Sequence, residues 1–231
     1  MDRVKTGIKG LDEILKGGIP YNQLTLITGT SGTGKTITCS QFILNGAAKY
    51  GENGVYLSFE EPPQSIKENM KSSFGIEFSK LEEEGKVVFI KYDPYRIEDV
   101  FDVLESTIRQ INAKRVVVDS ISALGLHIRD KAELRQVIYN MSTALRKLGT
   151  TSLIVSEIVP GTTGLSRYGV EEFVADSVIV YYYERLQSTY NRAVQIWKLR
   201  GSSHSETLHP YRITPNGIVV DADQEAFIKG G

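Results

Sequence analysis

Leu24-Thr25-Leu26-Ile27, followed at once by Thr28-Gly29-Thr30-Ser31-Gly32-Thr33-Gly34-Lys35-Thr36, points to an α/β core. The apolar run reads as a buried strand. The loop from Gly29 to Thr36 fits G-x-x-x-x-G-K-[ST] without a mismatch. Glycines allow the backbone to close around a pyrophosphate, with successive N–H groups forming an anion nest. Lys35 supplies a point charge for the β- and γ-phosphates, and the Thr36 hydroxyl is a ligand for Mg²⁺. Ile37 to Tyr50 reads as the following helix, whose dipole favours negative charge at its start. Gly29, Thr30, Ser31, Gly32, Thr33, Gly34, Lys35, Thr36 and Ile37 are therefore expected to hold a nucleoside triphosphate, and Lys35 to serve its chemistry as well.

Composition is consistent with this core. With 231 residues the chain can bury a full α/β core, and a single domain is expected over 1–228 with a loose tail at 229–231. Hydrophobic residues at 41% and charged residues at 24% are ordinary for a soluble protein. A net charge of −1 argues against generic attraction to nucleic acid, leaving only a local basic patch for such a partner. The single cysteine, Cys39, excludes an internal disulfide, suits a reducing compartment and reads as a packing residue. Met1-Asp2-Arg3-Val4-Lys5 has no apolar leader and no stretch approaches ~18 apolar residues, so a cytoplasmic protein without membrane contact is expected.

Strands alternate with helical patterns along the chain, which predicts a mostly parallel sheet flanked by helices. Strands are expected at 54–59, 86–90, 115–120 and 152–156. Helices are expected from Pro62-Pro63 through Ile66 and Met70, from Ile97 to Ile111, and from Glu133 to Leu148. In the second of these, Ile97, Val100, Phe101, Leu104, Ile108 and Ile111 form one stripe. From Ser177 onward the texture changes. Val178 to Tyr183, Ala193 to Arg200 and Ile213 to Val220 read as strands of a C-terminal β extension continuing the sheet.

Three further features carry chemistry. Asp119 ends the strand Val116-Val117-Val118, at the crevice where α/β sheets bind ligands, and can hold the water shell of a Mg²⁺ bound by Thr36. Glu60-Glu61 ends another strand, and alternation aims one of the two at the γ-phosphate, where a carboxylate activates water. Lys198 and Arg200 are two apart on a strand, so both cations should leave one face while Trp197 and Leu199 leave the other. Paired cations suit γ-phosphate charge; the plainer reading is a charged edge strand.

Together these segments resemble the single-domain KaiC-like branch of the RecA/RadA ATPase superfamily over nearly the whole chain. Thr6-Gly7-Ile8 with Leu11-Asp12 and Leu15-Lys16-Gly17-Gly18-Ile19-Pro20 is similar to its entry motif, and Glu60-Glu61 to its paired catalytic glutamates. Arg167-Tyr168-Gly169-Val170-Glu171-Glu172-Phe173-Val174 with Asp176 is similar to the N-terminal ATPase half of KaiC, and Lys198-Leu199-Arg200-Gly201 with His204 to the segment that reaches a neighbouring subunit's nucleotide. The resemblance implies a RecA-like core and a homo-hexameric ring with ATP at each interface. It assigns Lys198, Leu199, Arg200, Ser202, His204 and Thr214 to nucleotide contact in trans, and Ser73 to the base in cis. Departures limit it. The chain has one ATPase unit where KaiC has two, and Glu172-Phe173 stands where KaiC's second half has a phosphorylatable Ser-Thr pair, so autokinase activity is not expected. Pro215 replaces an acid in the trans-contacting stretch.

The resulting expectation is a Mg²⁺-dependent ATPase with an unidentified protein partner downstream. One rival is a RadA-type module binding single-stranded DNA through the Gly-rich segment Val159 to Gly169, with Arg167 on a backbone and Tyr168 on a base. Another is an ATP-dependent switch that does not hydrolyse.

Overall fold

The computed structural model describes residues 2–94, 97–186 and 189–227. In chain order the strands are β1 (Arg3–Val4), β2 (Ile19–Pro20), β3 (Leu24–Gly29), β4 (Gly54–Ser58), β5 (Val87–Lys91), β6 (Arg115–Asp119), β7 (Thr151–Glu157), β8 (Ser177–Leu186), β9 (Thr189–Leu199), β10 (His209–Thr214) and β11 (Gly217–Val220). The helices are α1 (Leu11–Ile14), α2 (Lys35–Lys49), α3 (Pro63–Phe74), α4 (Ser79–Glu83), α5 (Ile97–Ile111), α6 (Lys131–Lys147) and α7 (Glu171–Val174), with a 3₁₀ segment at Ile121–Leu126.

β3 to β11 form one nine-stranded sheet in the order β11-β10-β9-β8-β3-β7-β6-β4-β5. From β8 to β5 every neighbouring pair is parallel, and β8-β9, β9-β10 and β10-β11 are antiparallel. The C-terminal strands thus extend the same sheet. Side chains alternate across each strand, and both faces are covered. Ile27, Tyr56, Val117 and Leu153 pack with Phe42 and Ile43 of α2 and with Ile66 and Met70 of α3. Leu26, Val55, Leu57, Val116, Val118 and Ile154 pack with Val100, Leu104 and Ile108 of α5 and Leu134, Ile138 and Met141 of α6. The α5 stripe is buried at Val100, Leu104 and Ile108, and half-buried at Phe101 and Ile111; the side chain of Ile97 and the tail at 229–231 lie outside the described residues.

Two details differ from the sequence expectation. The run Ile213 to Val220 is a hairpin, with Thr214 paired to Gly217 across Pro215-Asn216. Proline cannot donate to a sheet ladder, and Gly217 has φ 92°, so the chain turns there. In β9, Trp197 and Leu199 do not share a face: Ile179 pairs Ile196 and Val178 pairs Lys198, so Trp197 is the extra residue of a bulge. Leu199 is buried and Trp197 is 52% exposed.

The N-terminal segment is fastened over α2. Asp12 Oδ1 accepts from the Thr6 N–H and hydroxyl at 2.8 Å each, and its Oδ2 accepts from Gly7 N–H at 3.0 Å. Arg115, fully buried beneath, donates to Phe42 O and Lys5 O at 2.9 and 2.8 Å and to Glu52 Oε2 at 2.7 Å.

Candidate active site

The chain leaves β3 through α2 toward β4 on one side, and leaves β7 back across β3 to β8 on the other. Neighbouring strands β3 and β7 therefore send their connections in opposite directions, which opens a crevice at their C-terminal ends. A cavity of about 310 Å³ lies there, lined by Ser31, Gly32, Gly34, Lys35, Thr36, Ile37, Glu60, Glu61 and Asp119, with Ser58, Ser120, Val155, Glu157 and Ile213.

The loop after β3 is set by its glycines and by the strands beneath. A Cβ on Gly29 would lie 2.4 Å from Tyr181 O, so no side chain fits there. Gly34 caps α2 with φ 89°, a left-handed conformation that glycine adopts without strain. Lys35 Nζ donates to Gly29 O and Thr30 O at 2.9 Å each, and Thr33 Oγ1 donates to Thr30 O at 2.9 Å. Tyr211 from β10 donates to Thr33 O at 2.6 Å, so the C-terminal strands brace the loop.

Asp119, at the end of β6, reaches the start of α2. Its Oδ2 accepts from Thr36 Oγ1 at 3.2 Å and from the buried Tyr56 hydroxyl at 2.6 Å. Burial raises the pKa of Asp119, and those two hydrogen bonds oppose the rise. Burial lowers the Lys35 pKa against the pull of Glu157 and Asp119. Glu60, at the rim, accepts from Ser120 Oγ at 3.4 Å; partial burial, then Glu157 and Asp119, raise its pKa. Glu61, which lines the same cavity, accepts at Oε1 from Asn69 Nδ2 at 3.1 Å and at its carbonyl from Ser58 Oγ at 2.6 Å. Four acidic residues (Glu60, Glu61, Asp119 and Glu157) thus line the cavity with one lysine.

Glu157 is not among the residues expected from the sequence, although it ends the strand read at 152–156. Its placement depends on β7 lying between β3 and β6. The remaining expected residues do not line this cavity. Ser73 is exposed on α3. Lys198 donates to Glu172 O at 2.9 Å and to Ala175 O, and Arg200 lies 3.5 Å from Asp176 Oδ1. Burial and Arg200 lower the Lys198 pKa. Ser202 Oγ accepts from Arg3, His204 Nδ1 lies 2.7 Å from Ser205 O, and Thr214 Oγ1 donates to Gly217 O inside the hairpin. In the segment proposed for DNA, Tyr168 is half-buried with its hydroxyl on Ser122 O at 2.9 Å, and Arg167 Nη1 is 3.5 Å from Glu157 Oε2.

A parallel sheet with a glycine-rich, lysine-bearing loop at its switch point, and a carboxylate two strands along, defines a class: an ATP-binding domain with a RecA-like fold. Residues 4–225 match the family described as ATPase: KaiC, and the chain belongs to that family. A UPF0273 protein of Pyrococcus furiosus is 40% identical over 96% of this chain and 95% of its own length. The circadian clock protein KaiC3 of Synechocystis sp. is 37% identical over 95% of this chain, which spans 46% of that longer protein. The crystal structure of a KaiC-like protein from Pyrococcus horikoshii matches with a TM-score of 0.87 at 40% identity, covering 95% of this chain and 98% of that one. Among the described residues no helix is long and apolar enough to cross a membrane.

Proposed function

We propose that this chain is a Mg²⁺-dependent ATPase, one domain over residues 1–228, that works as a homo-oligomeric ring, a hexamer, with its sites at subunit interfaces. The observation that carries the reading is the convergence of Lys35, Thr36, Asp119 and Glu60 on one cavity at the sheet's switch point. A Mg²⁺ there would be held by Thr36 Oγ1, with Asp119 on its water shell. One hydroxyl and one second-shell carboxylate suit an ion that keeps most of its waters and takes its other ligands from phosphates. It would neutralise charge developing on the phosphates.

Lys35 binds the phosphates from within the loop. Glu60 is assigned as the group that takes the proton of the attacking water: its carboxylate lines the cavity beside Ser120, and its raised pKa makes it a better base than an ordinary surface glutamate. Lys198 and Arg200 are assigned to the neighbour's γ-phosphate, with Leu199, Ser202, His204 and Thr214 beside them. Support for action in trans is that the pair lies outside its own chain's cavity, next in sequence to the exposed Trp197 and hydrogen-bonded to the turn carrying the 60% exposed Phe173. Exposed aromatics beside cations suit a protein interface. Against the DNA reading, Tyr168 is half-buried with its hydroxyl on Ser122 O, so stacking on a base would break that hydrogen bond.

Glu60→Gln keeps the hydrogen bonds and removes the base. Phosphate release should fall roughly a hundredfold or more with ATP still bound, and Glu61→Gln should lose much less. Lys35→Ala should weaken ATP binding itself. A wild-type chain that binds Mg-ATP without releasing phosphate would make it a switch and overturn the proposal.

A further inference from the structure

Glu171 is a carboxylate with no exposed surface, at the first position of α7. It does not line the cavity described above, and the chemistry proposed there does not use it. Four donors converge on it. Its Oε1 accepts from Ser156 Oγ at 2.9 Å and from Tyr168 N–H at 3.4 Å; its Oε2 accepts from Val170 N–H at 3.0 Å and from Ser166 Oγ at 2.7 Å, a hydroxyl whose single proton also faces Glu172 Oε2. Ser156 Oγ in turn accepts from Arg167 N–H at 3.2 Å and lies 3.5 Å from Ser122 Oγ, which accepts from Glu157 N–H at 3.1 Å.

One side of this network is the end of β7, held rigidly by its parallel ladders to β3 and β6. The other side is α7 and its approach. α7 is four residues long, too short to hold its own place by helix formation. Yet the carbonyls of Glu172, Phe173 and Ala175, and the Asp176 carboxylate just beyond, are the groups around Lys198 and Arg200. The position of both cations therefore depends, beyond the ladder that Lys198 joins, on a short turn that Glu171 ties to the end of β7.

Resting on the ATPase reading above, we propose that Glu171 is a positioning residue. By anchoring α7 to the end of β7, it fixes the Lys198–Arg200 pair in the geometry in which one subunit presents it to the next subunit's γ-phosphate. Asp176 is held by the Leu24 N–H of β3, by Arg146 of α6 and by Arg200, so the turn is fixed at both ends. Glu171 is the end within a polar cluster, where only a double acceptor satisfies donors on both oxygens. Glutamine would set an amide N–H₂ against a backbone N–H, and the turn must shift to relieve it.

The test is Glu171→Gln in the full-length chain, with Ser166→Ala as a milder variant that removes one donor and leaves the carboxylate. ATP affinity, read by titration with a fluorescent nucleotide, should stay within about twofold, because the phosphate loop and Asp119 are untouched. kcat should fall roughly tenfold or more, since an ångström of misplacement at a reacting group can cost ~100-fold. Mixing Glu171→Gln with Lys35→Ala chains gives some Glu171→Gln pockets a neighbour whose cation pair is correctly set, so activity should partly return. Tagged chains that co-purify show that mixed assemblies have formed. Affinity and kcat falling together in both variants, or no recovery in verified mixed assemblies, would overturn the inference. Failure of the ATPase reading would show separately, as absence of turnover in the wild-type chain.

Discussion

Removing one buried hydroxyl isolates what holds Asp119. Tyr56 is fully buried, its ring is stacked on Phe89 at 5.1 Å, and its hydroxyl donates to Asp119 Oδ2 at 2.6 Å. Tyr56→Phe keeps the ring, the stacking and the volume, so the loss is confined to that hydrogen bond. A hydrogen bond to an ionised acceptor contributes about 1.5–3 kcal/mol. Taking ~2 kcal/mol, and 2–4 °C per kcal/mol for a protein of this size, the melting temperature should fall by roughly 4–8 °C. The pH dependence has a definite sign. Burial already raises the Asp119 pKa and the Tyr56 hydrogen bond holds it down, so the variant's Asp119 should titrate higher still. The stabilisation comes from the carboxylate form. The gap between variant and wild type should therefore be full at neutral pH and shrink as pH falls and Asp119 protonates in both. Thermal melts at pH 7 and near pH 5 measure both effects. A melting temperature within 1 °C of wild type at pH 7, or a gap that widens in acid, would refute the assignment of this hydrogen bond as the support of Asp119.

Other expectations follow from single contacts. Gly46→Ala gains helix propensity, worth up to ~1 kcal/mol, but its Cβ would lie 2.4 Å from Arg115 Cδ; Arg115 is fixed by three acceptors, so overpacking of about 1–3 kcal/mol should win and the melting temperature should drop. Glu157→Gln removes the leading charge that raises Glu60 and the leading charge that supports Lys35, so carboxyl and amine NMR titrations should show both pKa values falling; no movement of either would place Glu157 outside the cluster. Arg167→Ala should leave single-strand DNA binding at low salt as absent as in wild type, and measurable wild-type binding abolished by this change would revive the nucleic-acid reading.

That the Gly29 to Thr36 loop, Asp119 and Glu60-Glu61 meet at one cavity is legible in the sequence because each follows an apolar strand, and in a parallel sheet all strand ends meet at one edge. Glu157 follows such a strand too. Its role depends on strand order, with β7 inserted between β3 and β6, and no local pattern encodes that order. Trp197 and Leu199 mislead for a different reason: period two assumes an unbroken ladder, and a bulge shifts it by one residue. In the Ile213 to Val220 run, Pro215-Asn216-Gly217 is itself a turn signal, hidden by β-forming residues on both sides. Glu171 reads as an ordinary acidic residue opening a helix. Its burial arises from contacts with Ser156, fifteen residues away, and with the loop between them.

If one subunit's cations complete the next subunit's site, two inactive chains should complement each other. Arg200→Ala keeps its phosphate loop and lacks a cation; Lys35→Ala lacks the loop lysine and keeps the cations. Each alone should be close to inactive. Mixed in verified co-assemblies, interfaces that join an intact loop to an intact Lys198–Arg200 pair should recover part of the wild-type phosphate release, with a maximum at an intermediate ratio. Mixed assemblies that remain inactive at every ratio would contradict the account and return Lys198 and Arg200 to the role of a charged sheet edge.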